Sequence, residues 1–290
     1  MTNTSIILIA DSGSTKTDWR LIDHSNKIHQ FRSKGINPYF QTSEQIALSI
    51  STELLPIAKT HFTGNVPVEV FFYGAGCSNE EKCAIVKKGI SSCLPSATIH
   101  VEHDLLAAAR SLCGKEEGIA AILGTGSNSC HYDGVEIQKN SASLGYVLGD
   151  EGSGAFIGKQ LIRCYLYKEL PDDLEQLFFT QYKLTKDLIL ERVYGQPGPN
   201  TFLASFTPFL LRHISNPFAA KLVYESFAAF LDHHICKYEV APRVKMHCTG
   251  SVGFYFGGIL RKAAIDRKIT VGTITESPIA GLTLYHLPEL

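Results

Sequence analysis

The sequence predicts an α/β protein of two like domains, each built on a sheet of mixed strand direction. Two stretches carry this prediction: apolar residues 6–10 run into the small, hydroxyl-rich segment 11–15, and apolar residues 119–123 run into 124–128. An alternating segment, a second tight turn and a third strand follow each stretch, and Asp133-Gly134 is a strong hairpin signal. A strand–turn–strand–turn–strand unit that occurs twice predicts two domains that face each other, with both small-residue turns lining a cleft.

After the first meander, helices and strands alternate, which implies an α/β sheet of mixed direction. Ser43 and a capping box of Ser78 with Glu81 mark two helix starts, while Pro56 ends or kinks the first of these helices. Asp104 opens a short alanine-rich helix. The predicted elements are a helix over 43–59, a strand over 68–73, a helix over 78–94, a strand over 98–102 and a helix over 105–112.

The second half repeats this plan around a large helical insertion over residues 155–239, in which apolar residues recur every three or four positions. The phenylalanine-rich faces of its two clearest helices are interpreted as core. The predicted elements are helices over 201–213 and 217–238, a strand over 244–248, a small-residue turn over 249–253, a helix over 254–264, a strand over 269–275 and a last helix that begins within 277–281.

The expected domain junction is the small and charged segment 113–118, just before the second copy of the meander. The N-terminal domain is therefore predicted over residues 1–115 and the C-terminal domain over 116–276. The last helix, 277–290, is a candidate addition to the N-terminal domain.

Composition argues against several classes of protein. With 27 Lys and Arg against 28 Asp and Glu, the net charge is −1, and no overall field favours nucleic acid or an anionic membrane. Residues 1–4 show no basic or cleavable apolar signal, and no apolar run approaches a membrane span, so a cytoplasmic location is expected. The eight cysteines include no C-x-x-C pair, and the histidines lack a ligand pattern, which predicts no zinc or iron–sulfur site.

The small-residue turns suit an anion, because glycine lets the main chain approach and hydroxyls supply donors. Two familiar phosphate loops do not match: Thr15 stands where a Walker loop needs glycine, and the segment from Gly124 to Gly126 lacks the third glycine of a dinucleotide fingerprint. What remains is Asp-x-Gly-x-Thr, in which the carboxylate of Asp11 can hold Mg²⁺ through water beside phosphates.

Four motifs taken in order resemble the BadF/BadG/BcrA/BcrD ATPase family and, within it, the N-acetylglucosamine kinases of the actin, heat-shock 70 and sugar-kinase superfamily. They are the segment 11–18, Asp104 at a strand-to-helix corner, the segment 124–128 and the turn 149–154. The likeness is strongest over 6–153 and weaker over 249–281. It implies two ribonuclease-H-like domains that close over ATP.

The resemblance also implies site residues for ATP and Mg²⁺. Both small-residue turns would hold the β and γ phosphates, Asp11 would orient hydrated Mg²⁺, and a third turn would border the adenosine. Lys16 either reaches the phosphates or is an exposed turn lysine. The implied nucleotide-binding residues are Gly13, Ser14, Thr15, Lys16, Gly124, Thr125, Gly126, Ser127, Thr249, Gly250 and Ser251.

Asp104 is the candidate catalytic base, because a carboxylate aimed at a sugar hydroxyl both orients it and accepts its proton. The structural alternative is a helix N-cap. Asn37, Gly145 and Asp150 match positions that contact the sugar in the similar kinases, whereas Leu144 stands where animal members have a tryptophan.

The expected activity is ATP-dependent phosphorylation of an amino sugar, N-acetylglucosamine to its 6-phosphate, with glucosamine or N-acetylmuramic acid as alternative substrates. One rival is an ATP-driven activator of electron transfer, which in this family uses cysteines at an iron–sulfur cluster. Another is a nucleotide-gated regulatory or filament protein. The resemblance also allows a homodimer, and no nucleic-acid or membrane partner is expected.

Overall fold

The structure is a computed structural model that describes residues 5–13, 16–62 and 66–287. The chain divides into two compact units between Gly114 and Lys115, and the segment from Pro278 onward belongs to the first unit. The domain borders predicted above, including the assignment of 277–290, stay a prediction. The α/β fold class is confirmed, since each unit contains one five-stranded sheet of mixed direction with helices.

The first unit is built on a sheet with the order β3-β2-β1-β4-β5. The first three strands form the predicted antiparallel meander, and β1, β4 and β5 run parallel. Apolar residues fill both faces of β1, which explains its continuous hydrophobic run. The strands are β1 (Ile6–Ser12), β2 (Lys16–Ile22), β3 (Ile28–Lys34), β4 (Val68–Gly74) and β5 (Thr98–His103).

The helices of the first unit follow the predicted order. The helix before β4 runs on through a π-helical segment, Ile50–Leu54, and Pro56 lies in the first turn of the part that follows. Because proline has no N–H to donate, the regular ladder is interrupted at this point. The helices are α1 (Ser43–Ser49), α2 (Leu55–Ala58), α3 (Glu80–Cys93) and α4 (Asp104–Cys113).

The predicted caps are wrong by one residue at two helix starts. Thr42 caps α1 with a complete capping box, in place of Ser43. Asn79 caps α3 by accepting the Lys82 N–H, in place of Ser78. At a third start, Asp104 is the first residue of α4 as expected, and His103 caps the helix through Nδ1, so the alternative role of Asp104 as the N-cap does not hold. At each of these helix starts, two neighbouring side chains are able to act as the cap. The residue whose backbone is extended is the one that caps the helix.

The second unit repeats the strand order and directions of the first. Its sheet has the order β10-β9-β6-β7-β8, with β6, β7 and β8 antiparallel and β6, β9 and β10 parallel. The Asp133-Gly134 hairpin is confirmed, and the Asp133 carboxylate accepts the N–H groups of Val135 and Glu136. The strands are β6 (Gly118–Leu123), β7 (Ser127–Tyr132), β8 (Ile137–Asn140), β9 (Met246–Thr249) and β10 (Val271–Thr275).

A helical insertion between β8 and β9 confirms the prediction for residues 155–239. The phenylalanines of its two clearest predicted helices pack in or against the core of the unit, as expected, and two of them form tilted and edge-on ring pairs with Phe178. The helices from β8 to β9 are α5 (Gly145–Leu148), α6 (Gly154–Leu166), α7 (Asp172–Tyr182), α8 (Lys186–Leu190), α9 (Pro199–Ala204), α10 (Thr207–Arg212) and α11 (Pro217–His233).

Three predicted elements of the second unit are wrong in extent. The helix expected over 201–213 is two helices, α9 and α10, because Pro208 lies in the first turn of α10 and cannot donate to the preceding turn. The helix expected over 217–238 ends at His233 and continues as a 3₁₀ turn. The turn expected over 249–253 is short, because α12 (Ser251–Tyr255) begins directly after Gly250, and α13 (Gly257–Ile265) follows it.

The last helix, α14 (Ile279–His286), packs against α4 in the first unit. A Cβ atom on Gly281 would lie 2.3 Å from the carbonyl oxygen of Ser111, so the close approach requires glycine there. Arg110 of α4 donates to the hydroxyl of Tyr73, which also lies 2.8 Å from Nε2 of His286. This polar chain connects α4, β4 and α14.

Three structural observations relate to the composition of the chain. None of the eight cysteines, all of which lie in the described ranges, forms a disulfide, and four are buried, whereas Cys236 is exposed. Within residues 5–13, 16–62 and 66–287, no cluster of three His, Cys, Asp or Glu side chains could hold a metal ion. Of the helices the structure describes, none combines the length and the apolar character that crossing a bilayer requires.

Candidate active site

In the first unit, the predicted catalytic and ligand residues gather at the carboxyl ends of parallel strands. Ser12 of β1, Gly74 of β4 and His103 of β5 are direct register partners. Gly13 follows the first of these residues and Asp104 the last. Ligands of α/β proteins bind at this edge of the sheet, because loops and helix N-termini converge there.

Asp104 is the first residue of α4, and its carboxylate is not the cap. The ring of His103 performs that role, with Nδ1 accepting the N–H of Leu106 at 3.2 Å. Burial raises the pKa of the Asp104 carboxyl, although the side chain keeps some exposure, and the nearby His103 and the N–H groups of Leu105 and Asp104 itself partly oppose this rise. The carboxylate is thus not the helix cap, and its basicity is raised.

Asn37 lies in a loop that is fixed to the end of β1. The Ser12 hydroxyl donates to the carbonyl of Ile36 and accepts its N–H. The Asn37 side-chain oxygen accepts the N–H of Tyr39 at 3.0 Å. This oxygen packs so closely on Gly76 that a Cβ atom there would lie 2.5 Å from it. Asn37 therefore presents a side chain whose orientation the loop itself determines.

Asp11 and Lys16 lie on either side of the first hairpin turn. Asp11 is the register partner of Asp18, and Asp18 accepts hydrogen bonds from Lys16 at 2.8 Å and from Arg32 at 2.9 Å. Burial works to raise the pKa of the Asp18 carboxyl, but the hydrogen bonds and charges of these two cations bring it below its ordinary value. The predicted phosphate residues Ser14 and Thr15 lie outside the described residues.

The donor set at this edge fits a hydrated magnesium ion. Asp11 supplies one carboxylate near the end of β1 and is partly exposed. Mg²⁺ in kinase sites is held by one or two carboxylates, by waters and by the substrate phosphates. A single carboxylate beside the hairpin turn is therefore sufficient for such an ion.

In the second unit, three loops pack together at the carboxyl ends of β6 and β9. The first two N–H groups of α6 donate to the hairpin turn, Gly154 to the carbonyl of Gly124 at 2.8 Å and Ala155 to that of Thr125 at 3.0 Å. Gly250 has a φ of 112° and approaches Leu123 so closely that a Cβ would lie 2.5 Å from its carbonyl oxygen. These glycines permit the contacts that join the turns 124–127, 149–154 and 249–251.

Asp150 lies directly against the predicted phosphate turn. Its side chain is buried, the Ser127 N–H donates to the carboxylate, and Oδ2 lies 3.1 Å from the place of a Cβ on Gly126. Burial raises the pKa of the Asp150 carboxyl, the Ser127 N–H and Lys159 oppose the rise, and Glu151 adds to it. The structure therefore brings together one residue predicted to bind sugar and one turn predicted to bind phosphate, which belong to separate motifs in the sequence.

The same turn offers groups that suit an anion. The Ser127 hydroxyl oxygen is buried and finds no hydrogen-bond partner within the described ranges. A Cβ placed on Gly124 would meet no described atom within 4 Å, so the backbone faces open space there. A hydroxyl without a partner and main chain that faces open space are groups that can contribute to an anion site.

The remaining residues that were predicted to contact the sugar or the adenosine differ in how exposed they are. Gly145, with a φ of 70°, opens α5, and a Cβ on it would meet no described atom within 4 Å. Leu144 is 57% exposed. Thr249 belongs to β9 rather than to a turn, is buried, and accepts a hydrogen bond from Thr275 at 3.1 Å, whereas Ser251 is exposed. Of the three residues predicted to border the adenosine, Gly250 and Ser251 therefore remain the better candidates.

Comparison with known proteins identifies the family. No family model matches the chain, and no curated protein matches it. The structure of "Putative N-acetylglucosamine Kinase" PG1100 from Porphyromonas gingivalis is 42% identical, has a TM-score of 0.90, and the match covers 97% of this chain and 98% of that one. The chain belongs to the N-acetylglucosamine kinase-like family. The narrower BadF/BadG/BcrA/BcrD assignment stays a prediction.

Two solved structures with lower sequence identity share the fold. A "Putative N-acetylglucosamine Kinase" from Chromobacterium violaceum is 16% identical with a TM-score of 0.72, and the match covers 98% of this chain and 99% of that one. A ROK family glucokinase from Streptomyces griseus, in complex with glucose and AMPPNP, is 15% identical with a TM-score of 0.57 over 97% of this chain and 98% of that one. Both confirm the two-domain actin-like architecture.

Three titratable residues beside the turn of this N-acetylglucosamine kinase-like protein escaped the sequence reasoning. The Glu151 carboxylate lies 3.4 Å from Nε2 of His234, one of the histidines that lack a ligand pattern in the sequence. Lys159 donates to the carbonyl of Tyr146 at 2.9 Å and thereby holds α5. Glu151 and His234 are 83 positions apart and share no spacing signal, so only the folded insertion reveals their proximity.

Proposed function

We propose that the protein is a kinase that transfers the γ-phosphate of ATP to a hydroxyl of an amino sugar, with the 6-hydroxyl of N-acetylglucosamine as acceptor. The observation that carries this proposal is the carboxylate of Asp104, which lies at the carboxyl edge of three parallel strands and is not used as a helix cap. The name and 42% identity of the Porphyromonas gingivalis relative support the same activity.

In the proposed reaction, Asp104 accepts a hydrogen bond from the sugar hydroxyl and takes its proton as the oxygen attacks the γ-phosphorus. A new P–O bond to the sugar forms, the bond between the γ-phosphorus and the bridging oxygen breaks, and ADP leaves with the bridging electrons. The raised pKa of the Asp104 carboxyl supports this role, because a more basic carboxylate accepts the proton more readily.

The proposed phosphate contacts are the turns that follow β1 and β6. The buried Ser127 hydroxyl and the open main chain at Gly124 support the second of these contacts. Gly13, Ser14, Thr15 and Lys16 would supply the first. Asp11 would hold hydrated Mg²⁺, which when bound neutralises charge on the β and γ phosphates. Gly250 and Ser251, with Thr249 behind them, would border the adenosine.

The proposed sugar contacts are Asn37, Gly145 and Asp150. A buried sugar hydroxyl needs a partner, and fixed side chains such as Asn37 and Asp150 supply one at low entropic cost. Leu144 is exposed where an aromatic ring stands in animal members, which changes the surface offered to the sugar. Glucosamine and N-acetylmuramic acid therefore belong in any substrate comparison.

The test is a coupled ADP-release assay with a panel of amino sugars and a sugar-free reaction. We expect turnover only with sugar, and a loss of about 10²–10⁴-fold in Asp104→Asn, which keeps its shape but loses its basicity. ATP binding, measured by calorimetry, should survive in the variant. Glu81→Gln is the matched control, since Glu81 is exposed on α3 of the same unit.

Hydrolysis that is indifferent to sugar and equal in the native protein and Asp104→Asn would overturn the kinase proposal. That outcome would favour the nucleotide-gated regulator instead, because such a switch needs ATP turnover but no acceptor base.

A further inference from the structure

The segment that carries the proposed sugar residues of the second unit is tied to the end of the helical insertion. At its start, the Ser141 N–H donates to the hydroxyl of Tyr238 at 2.9 Å. The Ser141 hydroxyl donates to the carbonyl of His234 at 3.2 Å. The last turn of α11 and the residues just after it therefore hold the point at which the segment 141–153 leaves β8.

The other end of the segment rests on the same turn of α11. Gly152 has a φ of 74°, and a Cβ atom on it would lie 2.9 Å from Cβ of Phe230. The ring of Phe230 stacks on that of His234, with centroids 5.1 Å apart and planes 25° from parallel. Nε2 of His234 lies 3.4 Å from the Glu151 carboxylate, so this ring faces the residue that joins Asp150 to Gly152.

Asp150 needs such support because its backbone is in the left-handed region, with a φ of 58°. A residue other than glycine is uncommon in this region, and it persists there when its surroundings impose the conformation. Its carboxylate is also placed against Gly126 and the Ser127 N–H. A small rotation of the turn would therefore move the carboxylate out of the position in which it can meet a sugar hydroxyl.

His234 is poorly explained as a purely structural core residue. It is 5% exposed, and its Nδ1 is buried and has no hydrogen-bond partner within the ranges that the structure describes. A buried polar atom without a partner is costly, so a residue that served packing alone would be better apolar. The contact with the Glu151 carboxylate uses the other ring nitrogen and selects the tautomer with its proton on Nε2.

We propose that Glu151 and His234 form a positioning pair that holds the Asp150 turn in its sugar-binding conformation. Glu151 and His234 do not touch the sugar; they act through Asp150. This inference rests on the proposed function for the sugar itself, but the contact between the pair and the turn is independent of any activity. It assigns the helical insertion a role in sugar affinity.

The test compares His234→Ala and His234→Gln with the native protein. His234→Ala removes the contact with Glu151, whereas glutamine places an amide N–H close to the position of Nε2 and should restore it. His233→Ala is the matched control, because His233 is the exposed neighbour on the same turn of α11. Glu151→Ala and the double variant His234→Ala/Glu151→Ala complete a mutant cycle.

We expect His234→Ala to raise KM for the sugar by about tenfold, the loss typical when a hydrogen bond to a charged group is removed. KM for ATP should stay unchanged, and kcat should fall by less than the rise in KM. His234→Gln should recover most of the affinity, and the double variant should be no worse than the stronger single variant. A residue needed only for folding would instead lower the active fraction without changing KM.

Hydrogen exchange supplies a readout that does not depend on catalysis. Amides of residues 141–153 should exchange faster in His234→Ala than in His233→Ala, and His234→Gln should restore their protection. Equal exchange and equal sugar KM in the two alanine variants would overturn the positioning pair. Absence of sugar-dependent turnover in the native protein would overturn the proposed function instead, and the exchange comparison would still decide about the pair.

Discussion

Oδ2 of Asp150 lies 3.1 Å from the position that a Cβ atom on Gly126 would occupy. The glycine of the β6–β7 turn thus makes room for the carboxylate of a residue that lies beyond β8. The contact is internal to the second unit and connects the proposed phosphate turn with the proposed sugar turn. A substitution at Gly126 should therefore displace the Asp150 carboxylate, and a substitution at Asp150 should change the packing of the turn that contains Gly126.

Gly126→Ala should weaken sugar binding. The added methyl group must displace the Asp150 carboxylate by a few tenths of an ångström, which strains a side chain held by the Ser127 N–H. We expect sugar KM to rise by about tenfold, on the scale of one lost charged hydrogen bond. Steady-state kinetics measure the change, with Gly258→Ala as control, because no described atom lies within 4 Å of a Cβ there. An unchanged sugar KM would show that the turn absorbs the methyl group.

Gly124→Ala should act on the nucleotide instead. A Cβ at this position meets no described atom within 4 Å, so folding stability should hardly change. The methyl group would stand where the main chain is proposed to approach the phosphates, and KM for ATP should rise severalfold while KM for the sugar stays constant. Thermal unfolding and kinetics together measure this separation. A rise in sugar KM alone would contradict the assignment of the turn to phosphate.

Asp104→Asn should be more stable than the native protein at neutral pH. Burial raises the pKa of the Asp104 carboxyl above its unfolded value, so its ionisation costs folding free energy once the pH exceeds that value. The cost of ionising the native carboxyl grows as the pH rises above the unfolded value, so the stabilisation should be larger at pH 7.5 than at pH 4. Thermal unfolding at both pH values measures it. A variant less stable than the native protein at pH 7.5 would contradict the prediction.

Lys16→Ala should separate nucleotide binding from the ion pair with Asp18. Exposed ion pairs contribute about 0–1 kcal/mol, and Arg32 still pairs with Asp18 in the variant, so stability should change little. If Lys16 serves the phosphates as proposed, KM for ATP should rise about tenfold. Arg32→Ala is the matched control, since it removes the other partner of the same carboxylate. Equal KM values for ATP in the two variants would show that Lys16 is an exposed turn lysine with no role in nucleotide binding.

His286 should make the first unit sensitive to mild acid. Burial, together with the charges of Arg110 and His100, lowers the pKa of His286 from its ordinary 6.5 to about 4. Between these values the unfolded chain binds more protons than the folded one, so stability present above pH 6.5 is lost as the pH falls toward 4. His286→Gln can still accept from Tyr73 but does not titrate. Its melting temperature should fall less than that of the native protein over this range, and parallel curves would contradict the assignment.

Much of the fold follows from local patterns. Alternation of apolar and polar residues, with turn residues such as Asp133-Gly134, located the strands of both meanders to within a few positions. Helix starts were less certain, since Ser78 and Asn79 are both good caps and only the extended backbone at Asn79 decides between them. Pro208 could have warned that the helix expected over 201–213 would divide.

By itself, the sequence determined the α/β class, the repeated meander, the helical insertion and the candidate residues Asp104 and Asp150, because each depends on a short pattern or a motif. Only the tertiary structure decided that His103, and not Asp104, caps α4. It also decided that Asp150 packs on Gly126 and that His234 contacts Glu151. These are contacts between segments distant in the chain or choices between equivalent neighbours. They are set by how packed elements share space, which a local pattern does not encode.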